Sequence, residues 1–330
     1  MKGRHHIVLE TKRLKYEFDI RRNITVILGN SASGKTTLIE ALAEYGRLSE
    51  RGGIRLESDV ACVVFSGSSN NWKTFIGGIK ESIIFIDEDF SFVFSDEFAR
   101  FVSESSNYYV IVTRRPLYNL PYSVNEIYGI RTTGKFNFPE KVYHEFYHIY
   151  DSTSYTNGDA YTFLLEDSKS GFDFYKNVFG DKLCKSCGGN ANVSKILEEY
   201  TGNVAVIADG AAFGAYMNDL MSVADEKENV IIYLPESFEW LVLKSGIVRG
   251  EKLEEILQTP EDYIESSEYF SWERFFTALL IHCTENDEIK KYSKIKLVPF
   301  YYTGKNREAI LSIMPEEIRR LAEKGSDIRC

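Results

Sequence analysis

No run among the 330 residues approaches the 18 or more consecutive apolar residues that a membrane-spanning helix needs. The first residues, Met1-Lys2-Gly3-Arg4-His5-His6, lead straight into an alternating, strand-like segment. They carry neither the apolar core nor the small-residue cleavage site of a secretory leader, so the expectation is a cytoplasmic protein with no membrane partner. Cysteine is scarce and odd in number (Cys62, Cys184, Cys187, Cys283 and Cys330), which argues for reduced thiols. Cys184-Lys185-Ser186-Cys187 has the spacing of half a zinc site, but no second pair and no nearby histidine completes four ligands. Positive charge is in deficit: 39 Lys and Arg against 49 Asp and Glu leave a net charge of −10. Such a field does not steer a chain to nucleic acid, so any DNA contact has to use a local basic patch. Lys12, Arg13, Lys15, Arg21 and Arg22, or the pair Arg114-Arg115, are the candidates, and each also reads as a solvated face.

What is present describes a folded, two-domain protein. A hydrophobic fraction of 44% with 27% charged residues excludes a disordered or fibrous chain. The length exceeds what one core ordinarily fills. Tyr and Phe are spread along the whole chain, which marks them as packing residues. A polar, turn-rich stretch at 151–159 is the expected boundary between a first domain, 1–150, and a second, 160–330. Before it, strand-like runs (24–28, 60–65, 83–86, 109–112) alternate with helical ones (35–45, 96–103). That alternation predicts an α/β fold, a parallel sheet with helices on both faces. The second half alternates in the same way, with strands at 161–165, 204–208 and 230–234 and helices at 172–179, 193–200 and 213–223. Apolar-periodic helical segments at 272–283 and 307–324 are expected to pack against this smaller α/β unit.

The strongest local pattern is Gly29-Asn30-Ser31-Ala32-Ser33-Gly34-Lys35-Thr36, a complete G-x-x-x-x-G-K-[ST] between a buried strand and a helix, with Thr37 next to it. Glycines allow the turn to aim successive N–H groups at phosphate oxygens, and the helix N-terminus adds partial positive charge. Lys35 is the expected contact to the β- and γ-phosphates, and the Thr36 hydroxyl a Mg²⁺ ligand. An apolar strand ending in acid is the expected partner, and Ile83-Ile84-Phe85-Ile86-Asp87-Glu88 supplies it. There Asp87 would hold the metal and Glu88 would act as general base on water. The strand at 109–112 ends in Thr113-Arg114, a candidate γ-phosphate sensor and a charge neutraliser, or an ordinary strand end with a surface arginine.

With these motifs the first 135 residues or so resemble a P-loop NTPase, of the class with a strand inserted between the two Walker strands and a glutamate after the Walker B aspartate. The opening hairpin (7–9 and 14–20) is similar to the start of ABC-type ATPase domains. Two departures stand out: only 51 residues separate Thr36 from Asp87, and Ser66-Gly67-Ser68-Ser69 is a faint echo of an LSGGQ signature. No guanine-reading Asn/Thr-Lys-x-Asp motif is present, which favours ATP.

In the second half, a strand ending in Glu166 and another ending in Asp209-Gly210 would bring two carboxylates to one sheet edge, a candidate Mg²⁺ site. The pattern is similar to a Toprim domain, the metal-binding module that follows the ATPase in OLD-family nucleases. That family carries Asp-x-Asp on the second strand, whereas this chain has Asp209-Gly210-Ala211, with Glu236 or Glu239 as the expected substitute. The resemblance implies an ATPase, with ATP and Mg²⁺ bound, whose nucleotide state controls a Toprim-like domain acting on DNA. Two alternatives stay open: a regulatory or scaffold ATPase that binds a protein partner, and a small-molecule kinase. The oligomeric state is open too, a dimer among the options.

Overall fold

A computed structural model of the chain describes residues 1–29, 34–137, 141–151, 153–154 and 161–327. It divides into two units, Met1–Tyr150 with Thr259–Phe270, and Asp151–Gln258 with Ser271–Cys330. The segment 259–270 therefore belongs with the first unit, whereas its position in the sequence assigned it to the second. The boundary stretch lies largely outside the described residues.

The first unit opens with β1 (His5–Glu10), β2 (Leu14–Ile20) and β3 (Ile24–Ile27), followed by α1 (Lys35–Leu48). Then come β4 (Arg55–Glu57), β5 (Ala61–Val64), α2 (Trp72–Gly77), β6 (Ser82–Ile86), α3 (Asp96–Ser103) and β7 (Tyr108–Val112). It closes with β8 (Ile127–Asn137) and β9 (Lys141–His148). Among the described residues these strands make one nine-stranded sheet, ordered β4-β1-β2-β9-β8-β3-β7-β6-β5. The expectation of a parallel sheet holds for β8-β3-β7-β6-β5 and fails beyond it, because β9 runs antiparallel to β8, and β1 antiparallel to β2 and β4. The turn between β1 and β2 explains part of the mixed character. Only three residues join them, closed by the Thr11 N–H to the Leu14 carbonyl (2.8 Å), and a connection that short permits only an antiparallel pair.

Each element follows from its residues. The five residues of β6 and of β7 are all buried, as continuous apolar runs in a covered parallel sheet should be. Helix α1 turns Leu38, Ile39, Ala41 and Leu42 onto the sheet. Helix α3 begins where the Ser95 hydroxyl accepts the Phe98 N–H at 3.1 Å, with Asp96 and Glu97 in its first turn. A cap of that kind is worth about 1 kcal/mol. Phe65, Trp72, Phe92, Phe98 and Tyr109 interlock edge-to-face and stacked around α2 and α3, a geometry that fixes those short helices against the sheet.

The second unit contains β10 (Thr153–Ser154), β11 (Thr162–Leu165), α4 (Ser170–Phe179), β12 (Cys184–Ser186), α5 (Asn190–Glu199), β13 (Val204–Ile207), α6 (Met217–Ala224) and β14 (Val230–Tyr233). Helices α7 (Phe238–Lys244), α8 (Leu253–Gln258), α9 (Trp272–Thr284), α10 (Pro299–Tyr302), α11 (Gly304–Ile313) and α12 (Glu316–Asp327) complete it. The sheet order is β10-β14-β13-β11-β12, parallel throughout except for β10. The expected helix over 307–324 is two helices, broken at Met314-Pro315, because proline supplies no N–H and pushes the residue before it out of helical geometry. Among the described residues no helix is long and apolar enough to cross a membrane.

Candidate functional site

Register decides which side chains of the first unit meet. Ile27 of β3 pairs with Val112 of β7, and Ile111 of β7 pairs with Ile86 of β6. Three parallel strands thus end level, with β7 between β3 and β6, and the residues just past them (Gly29, Thr113 and Arg114, Asp87 and Glu88) emerge at one edge. This is where ligands bind in open α/β sheets. Of the motif after β3, Gly29, Gly34, Lys35, Thr36 and Thr37 are described. Asn30, Ser31, Ala32 and Ser33 lie outside the described residues.

Gly34 caps α1 in the left-handed region at φ 90°, and a Cβ there would come within 3.2 Å of the Tyr16 hydroxyl and 3.3 Å of the His144 ring. Only glycine fits both the conformation and the space. Tyr16 is itself placed by the sheet. It pairs in register with His144 across β2 and β9, their rings stack at 4.5 Å, and its hydroxyl donates to the Gly34 carbonyl at 2.9 Å. Burial raises the Tyr16 pKa to about 12 and lowers that of His144, so the tyrosine stays a donor and the imidazole stays neutral. Neither residue was singled out by the sequence. The only trace was the inward position of Tyr16 in an alternating strand.

Lys35 is 5% exposed and its ammonium donates to the Gly29 carbonyl. Burial lowers its pKa, the nearby carboxylates of Glu88 and Asp87 work against that, and the Arg114 charge adds to it. The four side chains therefore share one electrostatic neighbourhood. Asp87 is half-buried, its pKa raised by burial and by the adjacent charges of Asp89 and Glu88. Its Oδ1 accepts the Glu88 N–H at 2.8 Å. Both oxygens of Glu88 are held by Arg114, Nε to Oε2 at 2.8 Å and a terminal NH₂ to Oε1 at 2.7 Å. Thr36 is exposed on the first turn of α1, and Thr37 is half-buried. Thr113 is buried and closes a local ring, donating to the Arg115 carbonyl at 2.9 Å and accepting its N–H at 3.0 Å. Of the two readings of Thr113, these local bonds favour the ordinary strand end over the phosphate sensor.

The second unit places Glu166 and Asp209 at the ends of neighbouring strands, since Leu165 of β11 pairs with Ile207 of β13. This is the point where the strand order reverses, and the Glu166 charge adds a minor contribution at Asp209. The surroundings differ from those of an open cation site. Asp209 accepts the Phe238 N–H at 3.0 Å and so helps to start α7. Glu239, 1% exposed, accepts the Tyr292 hydroxyl at 2.5 Å and faces the Lys294 ammonium at 3.2 Å. Lys294 also pairs with Glu273 at 2.7 Å. Burial pushes the Asp209 carboxyl well above its ordinary range, helped by Glu273 and Glu239 and opposed by Lys294. Burial likewise lifts Glu166 to about 7. Burial alone would lower Lys294, but Asp209, Glu239 and Glu273 outweigh it and raise its pKa. Burial and the neighbouring carboxyls thus favour the protonated form of Asp209, and Lys294 opposes them. A Cβ at Gly210 would stand 2.6 Å from the Leu234 carbonyl, so the turn after Asp209 runs close against that strand end, and Ala211, the position of the second aspartate in the Asp-x-Asp pattern, is 2% exposed. Glu236 is half-buried, its carbonyl bonded to the Ala211 N–H at 3.1 Å.

Lys12 and Arg13 are exposed, and most of the other basic candidates are engaged with acids or rings. Arg21 and Arg22 pair with the fully buried Glu126 (3.1 and 3.2 Å), Lys15 pairs with Glu17, and Arg115 lies 4.3 Å over the Phe94 ring. Among the described residues no three His, Cys, Asp or Glu side chains are grouped to hold a metal ion by themselves. Cys184 sits on β12 and Cys187, buried, just after it. No family model matches the chain, and neither a curated protein nor a solved structure matches it.

Proposed function

We propose that the first unit is a P-loop ATP-binding unit that hydrolyses ATP, and that its nucleotide state controls the second unit. The observation carrying this reading is the meeting of Lys35, Asp87, Glu88 and Arg114 at the ends of β3, β6 and β7, with β7 between the other two. A lysine at the start of a 14-residue helix, behind a left-handed glycine, is what a polyphosphate needs. Burial lowers its pKa while Glu88 and Asp87 oppose that, so the ammonium sits in a neighbourhood of charged groups at the strand ends. Absence of a guanine-reading motif favours ATP over GTP.

In this reading Lys35 binds the terminal phosphates, and Gly29, Asn30, Ser31, Ala32, Ser33, Gly34, Thr36 and Thr37 are the other nucleotide-binding residues. Glu88 takes a proton from the attacking water. The Thr36 hydroxyl and the Asp87 carboxylate are hard oxygen donors that fit Mg²⁺, an ion usually held by one or two protein oxygens plus phosphate. Bound there, Mg²⁺ would supply neutralisation of phosphate charge. The test is release of phosphate from ATP by the wild type and by Lys35→Ala; equal turnover in the two proteins would refute the site.

For the second unit, the Lys294 contacts favour the regulatory reading, a scaffold that binds a protein partner, over a Toprim-like nuclease acting on DNA. Glu166, Asp209 and Glu239 do not fit an open Mg²⁺ site, because the positive charge there belongs to the chain itself. The expected result with plasmid DNA and Mg²⁺ or Mn²⁺ is no nicking. Nicking that disappears in Glu166→Ala and Asp209→Ala would restore the nuclease reading.

A further inference from the structure

Lys294 sits where the acidic edge of the second unit would hold a cation. Its ammonium lies 2.7 Å from Glu273 of α9 and 3.2 Å from Glu239 of α7, and the charge of Asp209 acts on it as well. Glu239 is buried. Its Oε1 accepts the Tyr292 hydroxyl and faces the ammonium, while its Oε2 has no hydrogen-bond partner among the described residues. A buried carboxylate oxygen without a donor is costly, and a cation held beside it offsets that cost. The backbone on either side of Lys294 is fixed. The Tyr292 N–H donates to the Thr284 hydroxyl of α9 at 3.0 Å, the Lys294 carbonyl accepts the Ser170 N–H of α4 at 3.0 Å, and the Leu297 N–H donates to Asp173 Oδ2 of α4 at 3.1 Å. Three anchors within six residues deliver the lysine to the carboxylates as a built part of the fold. Lys294 and Glu273 stay 27% and 26% exposed, so the place opens to solvent on one side.

We propose that the Lys294 ammonium is a tethered stand-in for a divalent cation, seated between Glu239 and Glu273. The inference rests on the reading of the second unit as closed to Mg²⁺ and deepens it: the cation site exists, and its occupant is part of the chain. The oxygens around the ammonium are hard donors of the kind that Mg²⁺ and Mn²⁺ take. They stand farther from it than the roughly 2.1 Å of a metal–oxygen bond, as suits an ammonium. While Lys294 is present, an arriving metal ion meets a fixed positive charge and is repelled. With that side chain cut short, Glu239 and Glu273 have room to draw in on a small divalent ion that reaches them from solvent.

The experiment follows Mn²⁺ binding to the full chain without nucleotide, by loss of the free-ion EPR signal, together with the melting midpoint with and without Mn²⁺. Wild type, Lys294→Ala, Lys294→Gln, Lys294→Arg and the Lys294→Ala/Glu273→Gln double variant are compared. The first unit is the same in all of them, so only differences from wild type count. Lys294→Ala should gain one saturable Mn²⁺ site, at least about tenfold tighter than any in the wild type, and its lowered melting midpoint should recover when Mn²⁺ is added. Lys294→Gln, which keeps hydrogen-bond donors without the charge, should gain a weaker site, and it decides the question if Lys294→Ala does not fold. Lys294→Arg and the double variant should gain none. No added Mn²⁺ site in the folded neutral variants overturns the proposal, as does a gain that survives Glu273→Gln. Mn²⁺ binding by the wild type that is abolished in Glu166→Ala and Asp209→Ala would overturn the closed-edge reading first and this inference with it.

Discussion

The edge of the first sheet and the edge of the second are built from the same parts and balanced in opposite ways. Each gathers carboxylates past the ends of neighbouring parallel strands, Asp87 and Glu88 in one, Glu166 and Asp209 in the other, and each has a lysine among them. Lys35 has its pKa lowered by burial; Lys294 has its pKa raised because three carboxyls overcome burial. In the proposed reading, the lysine at which burial dominates is the one that takes an anionic phosphate. One that its own protein over-compensates is a structural counter-ion. The sign of the shift marks the difference between the two edges: burial dominates at Lys35, carboxylate charge at Lys294.

The comparison can be sharpened first through chemistry. Glu88→Gln should cut ATP turnover about 10²- to 10³-fold, the range expected when a general base is lost, while nucleotide binding survives. Phosphate-release kinetics read this directly, and undiminished turnover would take Glu88 out of the mechanism. Stability gives the next largest contrast. Lys294→Met should destabilise the chain by about 3 kcal/mol in urea titrations, because it strands the buried Glu239 carboxylate, whereas Lys35→Met should change stability by less than about 1 kcal/mol. Equal losses for the two variants would erase the distinction drawn between the lysines.

A smaller effect follows from pH. The Glu166 carboxyl rises from 4.5 to about 7 through burial first, then through Asp167 and Glu273. The folded chain therefore holds a proton that the unfolded chain gives up. The penalty is absent below pH 4.5, grows between 4.5 and 7, and is constant above. At about 1.4 kcal/mol per pH unit it reaches at most about 3 kcal/mol. Glu166→Gln should thus be more stable than wild type at about pH 8 and equal to it at about pH 4.5. A pH-independent difference would mean that Glu166 is not desolvated.

Much of this is legible in the sequence where a pattern is local. The 96–103 helix shows its true bounds because Ser95, Asp96 and Glu97 write a start signal ahead of an apolar face. The runs of β3, β6, β7, β11, β13 and β14 stand out to within a residue or so because buried parallel strands are continuous in apolar residues. What is not legible depends on partners distant in the chain. The β8–β9 pair mixes glycine, threonine and charge and takes its place only by pairing with β3 and β2. Tyr16 and His144 become neighbours only through that pairing. Lys294 lies 85 residues past Asp209 in an irregular segment, so no spacing rule links it to the carboxylates it serves. The break at Pro315 is written in the sequence too, but the apolar period continues through it and masks it.

Everything proposed for the first unit depends on whether the turn after β3 captures a nucleotide through Lys35. Isothermal titration of the full chain with ATP and Mg²⁺ tests this most directly, with Lys35→Ala alongside. Saturable binding by the wild type, weakened at least about tenfold in the variant while its urea midpoint is kept, is the predicted result. No heat of binding in the wild type, or the same isotherm for both proteins, would contradict it.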